Sequence, residues 1–179
     1  MLDLKINFEM KKVKLINFIN LTDEEKEMIR KWRNNKNIRK LMFSDHIISA
    51  EEHSNFIVKL KEDNKNFFWL VKNNEEPIGV ISLNRTDFAN KNAYLGLYVN
   101  PDYKVLGAGQ ILMGCIKKLA FDKINLHGLR LEVIDGNERA KNFFKKSGFT
   151  EEGRLKDFVI KDCRWQDVIV MGILNKNKV

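Results

Sequence analysis

Residues 99–110 read VNPDYKVLGAGQ, and this stretch carries the most information about the fold. It joins an apolar run typical of a strand to an amphipathic run typical of a helix, with Gly107 and Gly109 at the junction. Free amides at a helix N-terminus attract anions, and glycine lets a phosphate approach the main chain closely. The stretch therefore predicts a pyrophosphate site, although the same pattern also occurs in tight turns that bind nothing. It matches neither the three-glycine dinucleotide motif nor the Gly-Lys-Ser/Thr phosphate loop.

The segments around this stretch predict a mixed sheet covered by helices. Capping boxes at Thr22 and Ser49 each begin a helix, and short links between successive strands favour antiparallel pairing. The predicted elements are, in order, a strand at 13–19, helices from Thr22 and Ser49, strands at 67–71, 78–83 and 93–99, a helix from Gly107, a strand at 129–134, a helix at 138–146 and strands at 149–155 and 165–173. This order predicts an α+β fold.

Length and composition are typical of one globular domain. The chain has 179 residues, 44% of them apolar and 31% charged, so we expect a single domain over residues 1–179. Cys115 and Cys163 lie far apart and have no ligand pattern beside them, so neither a disulfide framework nor a metal site is predicted. No apolar run is long enough to cross a bilayer, and the N-terminus does not resemble a signal peptide. We expect a cytoplasmic protein without a membrane partner.

The chain carries an excess of positive charge. Lysine and arginine total 32 and aspartate and glutamate total 24, which gives a net charge of +8. Charge alone does not choose among nucleic acid, an anionic membrane and small polyphosphate ligands. Because the basic residues are spread along the chain, we interpret the excess as a general attraction for anions.

A second motif follows the glycine turn further along the chain. Its residues are Asn137, Ala140, Phe143, Phe144, Lys146, Gly148 and Phe149. Together with Lys104-Val105-Leu106-Gly107-Ala108-Gly109, it resembles the paired motifs of the GNAT superfamily of acetyl-CoA-dependent N-acetyltransferases. The resemblance covers about residues 13–174. It implies a mostly antiparallel central sheet flanked by helices, whose central strands at 93–99 and 129–134 splay apart, usually after a β-bulge, and admit acetyl-CoA.

The resemblance also implies which residues bind acetyl-CoA. Main-chain groups of Leu97, Tyr98 and Val99 would hold the pantetheine arm, and Lys104 would add a charge near the phosphates. Asn137 and the helix that it begins would flank the far end of the cofactor. The amides that would hold the pyrophosphate belong to Leu106, Gly107, Ala108, Gly109 and Gln110.

Phe144 departs from the family pattern. It stands where the family commonly carries the tyrosine that protonates the departing thiolate, and it has no hydroxyl. A thiol has a pKa near 8.5, so its protonation need not contribute much to the rate. Tyr98, with Tyr94 as an alternative, is the candidate acid, and water or the proton released by the amine could also serve. Cys115 is expected to pack in the core, which favours direct transfer in a ternary complex over an acetyl-cysteine intermediate.

Within the superfamily, several segments resemble the branch that acetylates the 4-amino group of a UDP-linked 4-amino-4,6-dideoxy sugar in pseudaminic acid biosynthesis. The segments are residues 32–34, 41–43, 52–53, 94–98 and 152–158. The resemblance implies that Arg33 grips the diphosphate, that His53 bonds to phosphate or uracil and that Met42 forms an apolar wall. Ser82 would position the amine or relay its proton through water. Each of these four residues also has a purely structural interpretation, as a paired, solvent-facing or packed side chain.

Two other functions stay open. Ribosomal-protein N-terminal acetyltransferases share Glu152-Gly153-Arg154-Leu155, and an acceptor groove open at both ends would favour a protein or other small-amine acceptor. A non-catalytic module that binds nucleic acid or protein is the third interpretation. Since two polyanionic ligands account for the positive charge, we expect a UDP-amino sugar and no nucleic acid as partner, with a homodimer possible.

Overall fold

The computed structural model describes residues 3–10, 12–102 and 105–175. These residues form an eight-stranded sheet in the order β1-β2-β3-β4-β5-β6-β8-β7. The strands are β1 (Phe8–Met10), β2 (Val13–Asn17), β3 (Phe67–Asn73), β4 (Glu76–Asp87), β5 (Asn92–Val99), β6 (Gly128–Ile134), β7 (Thr150–Lys161) and β8 (Arg164–Leu174). The helices are α1 (Asp23–Asn34), α2 (Lys36–Arg39), α3 (Ala50–Leu60), α4 (Ala108–Lys117) and α5 (Glu138–Lys146), with a 3-10 turn at Phe18–Asn20 and a π-helical segment at Lys118–Lys123.

The predicted α+β class is confirmed, with differences at the element ends. β2 ends at Asn17, two residues earlier than expected, because the Asn17 side chain accepts a hydrogen bond from the Ile19 amide and begins a 3-10 turn. β1 and α2 were not predicted, since three and four residues are too short to show a period. β7 runs on to Lys161, well beyond the predicted end at residue 155.

One of the two predicted capping boxes forms completely, whereas the box at Ser49 is half formed, since only the Ser49 hydroxyl accepts an amide hydrogen bond. The Thr22 hydroxyl accepts from the Glu25 amide at 3.3 Å, and the Glu25 carboxylate accepts from the Thr22 amide at 3.0 Å, which is a complete capping box. Asn74 and Glu75 both have positive φ and form the two-residue turn between β3 and β4. These local signals set where α1 begins and how β3 and β4 pair.

The sheet separates two apolar layers. Alternate strand residues such as Ile81 and Leu95 pack with α4, where Leu112 and Ile116 are buried. The opposite face, at Val80 and its neighbours, packs with the buried residues of the α1 to α3 segment. Because side chains alternate along a strand, β4 and β5 present different residues to the two layers. We call the face under α1 to α3 the acceptor face.

The central strands β5 and β6 are parallel and separate after a few residues. They pair at Asn92 with Gly128, at Ala93 with Leu129 and at Tyr94 with Arg130, and their pairing ends there. Beyond that point β5 continues on β4 and β6 continues on β8. The predicted splay is therefore confirmed. The irregularity beside it lies on β4, where Arg85 and Thr86 stand opposite the single residue Ala93.

Candidate functional site

The splayed strands leave one edge of β5 without a partner strand. The Asn100 amide donates to the Ile78 carbonyl on β4 at 2.9 Å. Since main-chain groups alternate in direction along a strand, those of Tyr98 also face β4, whereas those of Leu97 and Val99 face the gap. The gap thus offers the main chain of Leu97 and Val99 to an extended ligand. The prediction that main-chain groups of Tyr98 hold the pantetheine is wrong, because those groups point away from the gap.

The glycine turn joins this strand edge to α4. Gly107 has φ +78° and is the N-cap of α4, with no side chain over the amides that follow it. The first intrahelical bond runs from the Ile111 amide to the Gly107 carbonyl at 3.1 Å, so the amides of Gly109 and Gln110 lie before the helical ladder. The Ala108 amide already donates to the Val105 carbonyl at 3.1 Å, which corrects the expectation that it holds the pyrophosphate. Leu106 is fully exposed, which leaves the turn open to a ligand. Lys104 lies outside the described residues.

The two glycines of the turn have different roles. At Gly107 an added Cβ would meet only the Gln110 side chain at 3.9 Å, so this position needs glycine for its positive φ. At Gly109 an added Cβ would lie 3.3 Å from the Phe143 ring on α5, so this position needs glycine for close packing. Ala108 begins α4 and is buried. The turn therefore combines an open N-terminus with a tight contact between α4 and α5.

The second motif forms α5, beside the gap. The Asn137 side chain accepts a hydrogen bond from the Ala140 amide at 3.2 Å and caps the helix. Phe144 is 9% exposed, and its ring packs edge-on against Phe143 and Phe149. Gly148 has φ +89° and follows the helix as predicted. The structure thus shows Asn137 as a cap and Phe144 as a packed ring, and their contacts with a cofactor stay predictions.

Ser82 lies on the acceptor face, opposite Gly96. It is 5% exposed, and its hydroxyl oxygen accepts a hydrogen bond from the Asn84 side-chain amide at 2.9 Å. A Cβ added to Gly96 would lie 2.6 Å from the Ser82 hydroxyl oxygen. Any side chain at position 96 would therefore crowd that oxygen. The structure therefore places Ser82 beside the point where β5 and β6 separate.

Tyr98 lies on the same face, within the electrostatic influence of Arg33. Removal from water raises the pKa of the Tyr98 hydroxyl well above its usual value of 10.0, and the nearby Arg33 charge opposes this shift only in part. Burial lowers the pKa of Arg33, which remains a cation. Tyr98 therefore stays protonated at neutral pH and can donate a proton. Its packing belongs to the cluster between the sheet and α1 to α3.

Arg33 has an unused donor. Its Nη2 donates to the Ser44 carbonyl at 3.1 Å and to the Ser44 hydroxyl at 3.2 Å. Its Nη1 is buried and has no hydrogen-bond partner among the described residues. A buried cationic donor without an acceptor is costly, and an anionic ligand would supply one.

The other two predicted acceptor residues lie on the same side. Met42 packs against the cluster beneath α1 to α3. His53 is 7% exposed on α3, its ring stacks on Phe56 at 6.5 Å, and its pKa is lowered by burial and by Arg30. The solvent-facing interpretation of His53 is wrong, because the ring points into the layer between α3 and α1. The lowered pKa keeps the His53 imidazole neutral at neutral pH. Binding of this neutral ring to phosphate or uracil stays a prediction.

The segment between α2 and α3 contacts β7. The Phe43 and Phe158 rings meet edge-on at 6.0 Å, and Lys161 Nζ lies 3.7 Å from the Asp45 carboxylate. Lys161 is 5% exposed, and its Nζ has no hydrogen-bond partner among the described residues. The sequence does not indicate Lys161, because a single lysine in a polar hairpin belongs to no recognisable motif. The contact joins the segment before α3 to a strand on the far side of the splay.

Cys115 lies away from this arrangement. It is 6% exposed on the inner face of α4, and burial raises the pKa of its thiol. A buried, protonated thiol is a poor nucleophile. The expectation that Cys115 packs in the core is confirmed.

A parted pair of parallel strands beside an uncapped glycine turn, with a phenol and a hydroxyl on the strands to one side of the gap, is the arrangement expected of an acetyl-CoA-dependent N-acetyltransferase. The sequence profile of the Acetyltransferase (GNAT) family matches residues 28–149, and the chain belongs to this family. Acetyl-CoA is accordingly its co-substrate. Among the described residues, no helix combines the length and the apolar character that a bilayer crossing requires.

Proteins similar to this chain agree with the assignment. The chain is 39% identical over 149 residues to acetyltransferase PseH of Campylobacter jejuni, an alignment that covers 82% of this chain and 90% of that protein. The crystal structure of C. jejuni PseH in complex with acetyl coenzyme A has a TM-score of 0.71 and 30% identity, over 92% of this chain and 99% of that one. Spermidine N-acetyltransferase from Vibrio cholerae, in complex with CoA and spermine, has a TM-score of 0.83 and 25% identity, over 92% and 96% of the two chains.

Proposed function

We propose that this enzyme transfers the acetyl group of acetyl-CoA to the 4-amino group of a UDP-linked amino-dideoxy sugar, as a cytoplasmic step of pseudaminic acid biosynthesis. The sequence resemblance to that branch and the similarity to PseH support the proposal. The structural observation that carries it is the buried, unpartnered Nη1 of Arg33 on the acceptor face. A diphosphate is an anion whose geometry suits a guanidinium.

Acetyl-CoA would bind along the gap. Main-chain groups of Leu97 and Val99 would hold the pantetheine as an added strand. The pyrophosphate would lie at the positive end of α4, on the amides of Leu106, Gly107, Gly109 and Gln110. Asn137 would hold α5 in place beside the cofactor through its cap. The residues present therefore fit the cofactor that the family uses.

The acetyl group would pass directly to the amine in a ternary complex. The protonated Tyr98 hydroxyl would donate a proton to the departing thiolate, which replaces the tyrosine that Phe144 lacks. Ser82 would position the amine, since a neutral hydroxyl is a poor base. The packed position of Cys115 disfavours an acetyl-cysteine intermediate.

A second candidate acceptor is a polyamine, because a spermidine N-acetyltransferase has a similar structure. Arg33 disfavours this candidate, since a polycation would meet a partly buried positive charge. A protein N-terminus is the third candidate acceptor, which the contact between Phe43 and Phe158 beside the acceptor face would restrict. A homodimer stays a prediction, which sedimentation velocity would test.

The decisive experiment is the release of CoA thiol from acetyl-CoA across a panel of amines. The panel contains the UDP-amino sugar, the same sugar without its nucleotide, spermidine and a ribosomal N-terminal peptide. We expect selective turnover of the UDP-amino sugar and a higher KM for the sugar without the nucleotide. Preferential turnover of spermidine or of the peptide would overturn the proposed acceptor and leave the acetyltransferase assignment in place.

A further inference from the structure

Lys161 is a buried cation at the end of β7. It is 5% exposed and pairs with Arg164 across the last rung of the β7–β8 hairpin. Asp162 and Cys163 both have positive φ and form the two-residue turn that follows, which fixes the main chain at Lys161. Its Nζ has no hydrogen-bond partner among the described residues, and the Asp45 carboxylate lies 3.7 Å away, beyond hydrogen-bond range. Because a buried ammonium without an acceptor is costly, this position favours a ligand that supplies one.

The strand register places Lys161 on the acceptor face. Val133 on β6 belongs to the layer under α4, so its neighbour Ile134 faces the opposite side of the sheet. Val159 on β7 packs with Ile134 in one cluster and therefore shares that face. The pairing of β7 with β8 continues without a shift from Val159 to Lys161. Since Lys161 stands two residues after Val159, its side chain projects from the same face.

Arg33 and Lys161 contact successive residues of one segment. Arg33 donates to Ser44, and Lys161 lies beside Asp45. The Cα atoms of adjacent residues are only about 3.8 Å apart. Arg33 comes from the helical layer that packs on β3 and β4, whereas Lys161 comes from β7, beyond the splayed strands. The two cations therefore approach the same segment from the two sides of the gap.

Both cations keep a donor free. Among the described residues, four buried side-chain atoms lack a hydrogen-bond partner, and the two that belong to charged groups are Arg33 Nη1 and Lys161 Nζ. Other cations near this segment have a carboxylate within hydrogen-bond distance. They are Arg30, at 2.7 Å from Glu27, and His46, at 2.8 Å from Glu52. The free donors of Arg33 and Lys161 thus stand apart from the paired charges around them.

We propose that Lys161 binds the diphosphate of the nucleotide-sugar acceptor together with Arg33, one cation from each side of the splayed strands. The inference rests on the proposed function and adds to it a binding residue on β7. A diphosphate has oxygen atoms on two phosphorus atoms, so it accepts from a guanidinium and an ammonium at once. Asp45 is 58% exposed and lies too far from Lys161 to occupy its donors. We call Arg33 and Lys161 the diphosphate clamp.

The test measures inhibition by UDP, in competition with the UDP-amino sugar at saturating acetyl-CoA. Lys161→Met keeps the aliphatic stem and removes the charge, so we expect the inhibition constant of UDP and the KM of the UDP-amino sugar to rise by about 10- to 100-fold. Inhibition by uridine, which has no phosphate, and the KM of acetyl-CoA should stay unchanged. Lys161→Arg should keep most of the affinity for UDP. Lys156→Met, an exposed change on the same strand, is the matched control and should resemble the parent enzyme.

Asp45→Asn separates a ligand contact from a structural ion pair. It removes the neighbouring negative charge and keeps Lys161, so UDP should bind as tightly as to the parent enzyme or more tightly. Equal weakening of UDP binding in Asp45→Asn and Lys161→Met would assign the pair a structural role and overturn the clamp. An unchanged inhibition constant in Lys161→Met would overturn the clamp and leave the proposed acceptor in place. If UDP does not compete with the acceptor even in the parent enzyme, the nucleotide-sugar proposal and the clamp both fail.

Discussion

The indole Nε1 of Trp32 donates a 3.0 Å hydrogen bond to the carboxylate of Asp102. Trp32 is 1% exposed on α1 and immediately precedes Arg33, whereas Asp102 lies in the segment that leads from β5 to the glycine turn. The bond therefore couples the helix that carries the acceptor cation to the turn expected to bind pyrophosphate. Asn100 supports the same segment, since its side chain donates to the Pro77 carbonyl at 2.8 Å.

Loss of this bond should affect both substrates. In Trp32→Phe the apolar contact is largely kept and the buried donor is removed, so we expect about 1–2 kcal/mol of lost stability and a higher KM for acetyl-CoA and for the acceptor. Denaturant unfolding and steady-state kinetics measure the two effects. Asp102→Asn is the matched control, because its amide oxygen can still accept the bond. A KM change for only one substrate in Trp32→Phe would contradict the coupling.

Gly96→Ala should damage catalysis more than folding. The new Cβ would lie 2.6 Å from the hydroxyl oxygen of Ser82, the residue proposed to position the amine. We expect kcat/KM for the acceptor to fall on the order of 100-fold, since small misplacements at a reacting centre have effects of this size. Gly114→Ala on α4 is the control, because nothing lies within 4 Å of its added Cβ. Parent-like activity in Gly96→Ala would contradict the site.

Tyr98→Phe tests the proton donor. The pKa of Tyr98 is raised, so the phenol should remain protonated above its usual value of 10.0, and kcat of the parent enzyme should not decline at alkaline pH through loss of this proton. In Tyr98→Phe we expect kcat to fall by roughly 10- to 100-fold, with a similar affinity for acetyl-CoA. Steady-state rates over a pH range provide the measurement. Unchanged turnover would remove Tyr98 from the mechanism.

Arg33→Met should separate the nucleotide sugar from smaller amines. If the free Nη1 binds the diphosphate, we expect the KM of the UDP-amino sugar to rise by about 10- to 100-fold, which is the size of a charged hydrogen bond of about 1.5–3 kcal/mol. The KM of the sugar without its nucleotide should hardly change. Lys31→Met, an exposed change on the same helix, is the control. Equal KM changes for both sugars would exclude a diphosphate contact.

His53 should make the fold sensitive to acid. Its folded-state pKa is lowered from 6.5, chiefly by burial, so the unfolded chain binds the proton more readily. The stabilising contribution is present above pH 6.5 and is lost as the pH falls through the lowered folded-state value. We expect His53→Gln to lose less thermal stability than the parent between about pH 6.5 and pH 5, by scanning calorimetry. The same acid dependence in both proteins would contradict this.

Much of the cofactor side could be predicted from short stretches of sequence. Gly107 marks a positive φ and Asn137 marks a cap, and both requirements arise from hydrogen bonds between residues close in the chain. The acceptor side was less predictable. Lys161 stands in ordinary hairpin sequence, and no local pattern distinguishes it from a surface charge.

The sequence by itself determined the order of the elements, the helix starts and the turn before α4, because these depend on local hydrogen bonding and on the period of apolar residues. Only the tertiary structure decided that β5 and β6 part after Tyr94, that Gly96 stands beside Ser82 and that Lys161 approaches Asp45. Each of those relationships joins segments distant in sequence. Strand pairing and packing bring these segments together, and a short stretch of sequence reveals neither the pairing nor the packing.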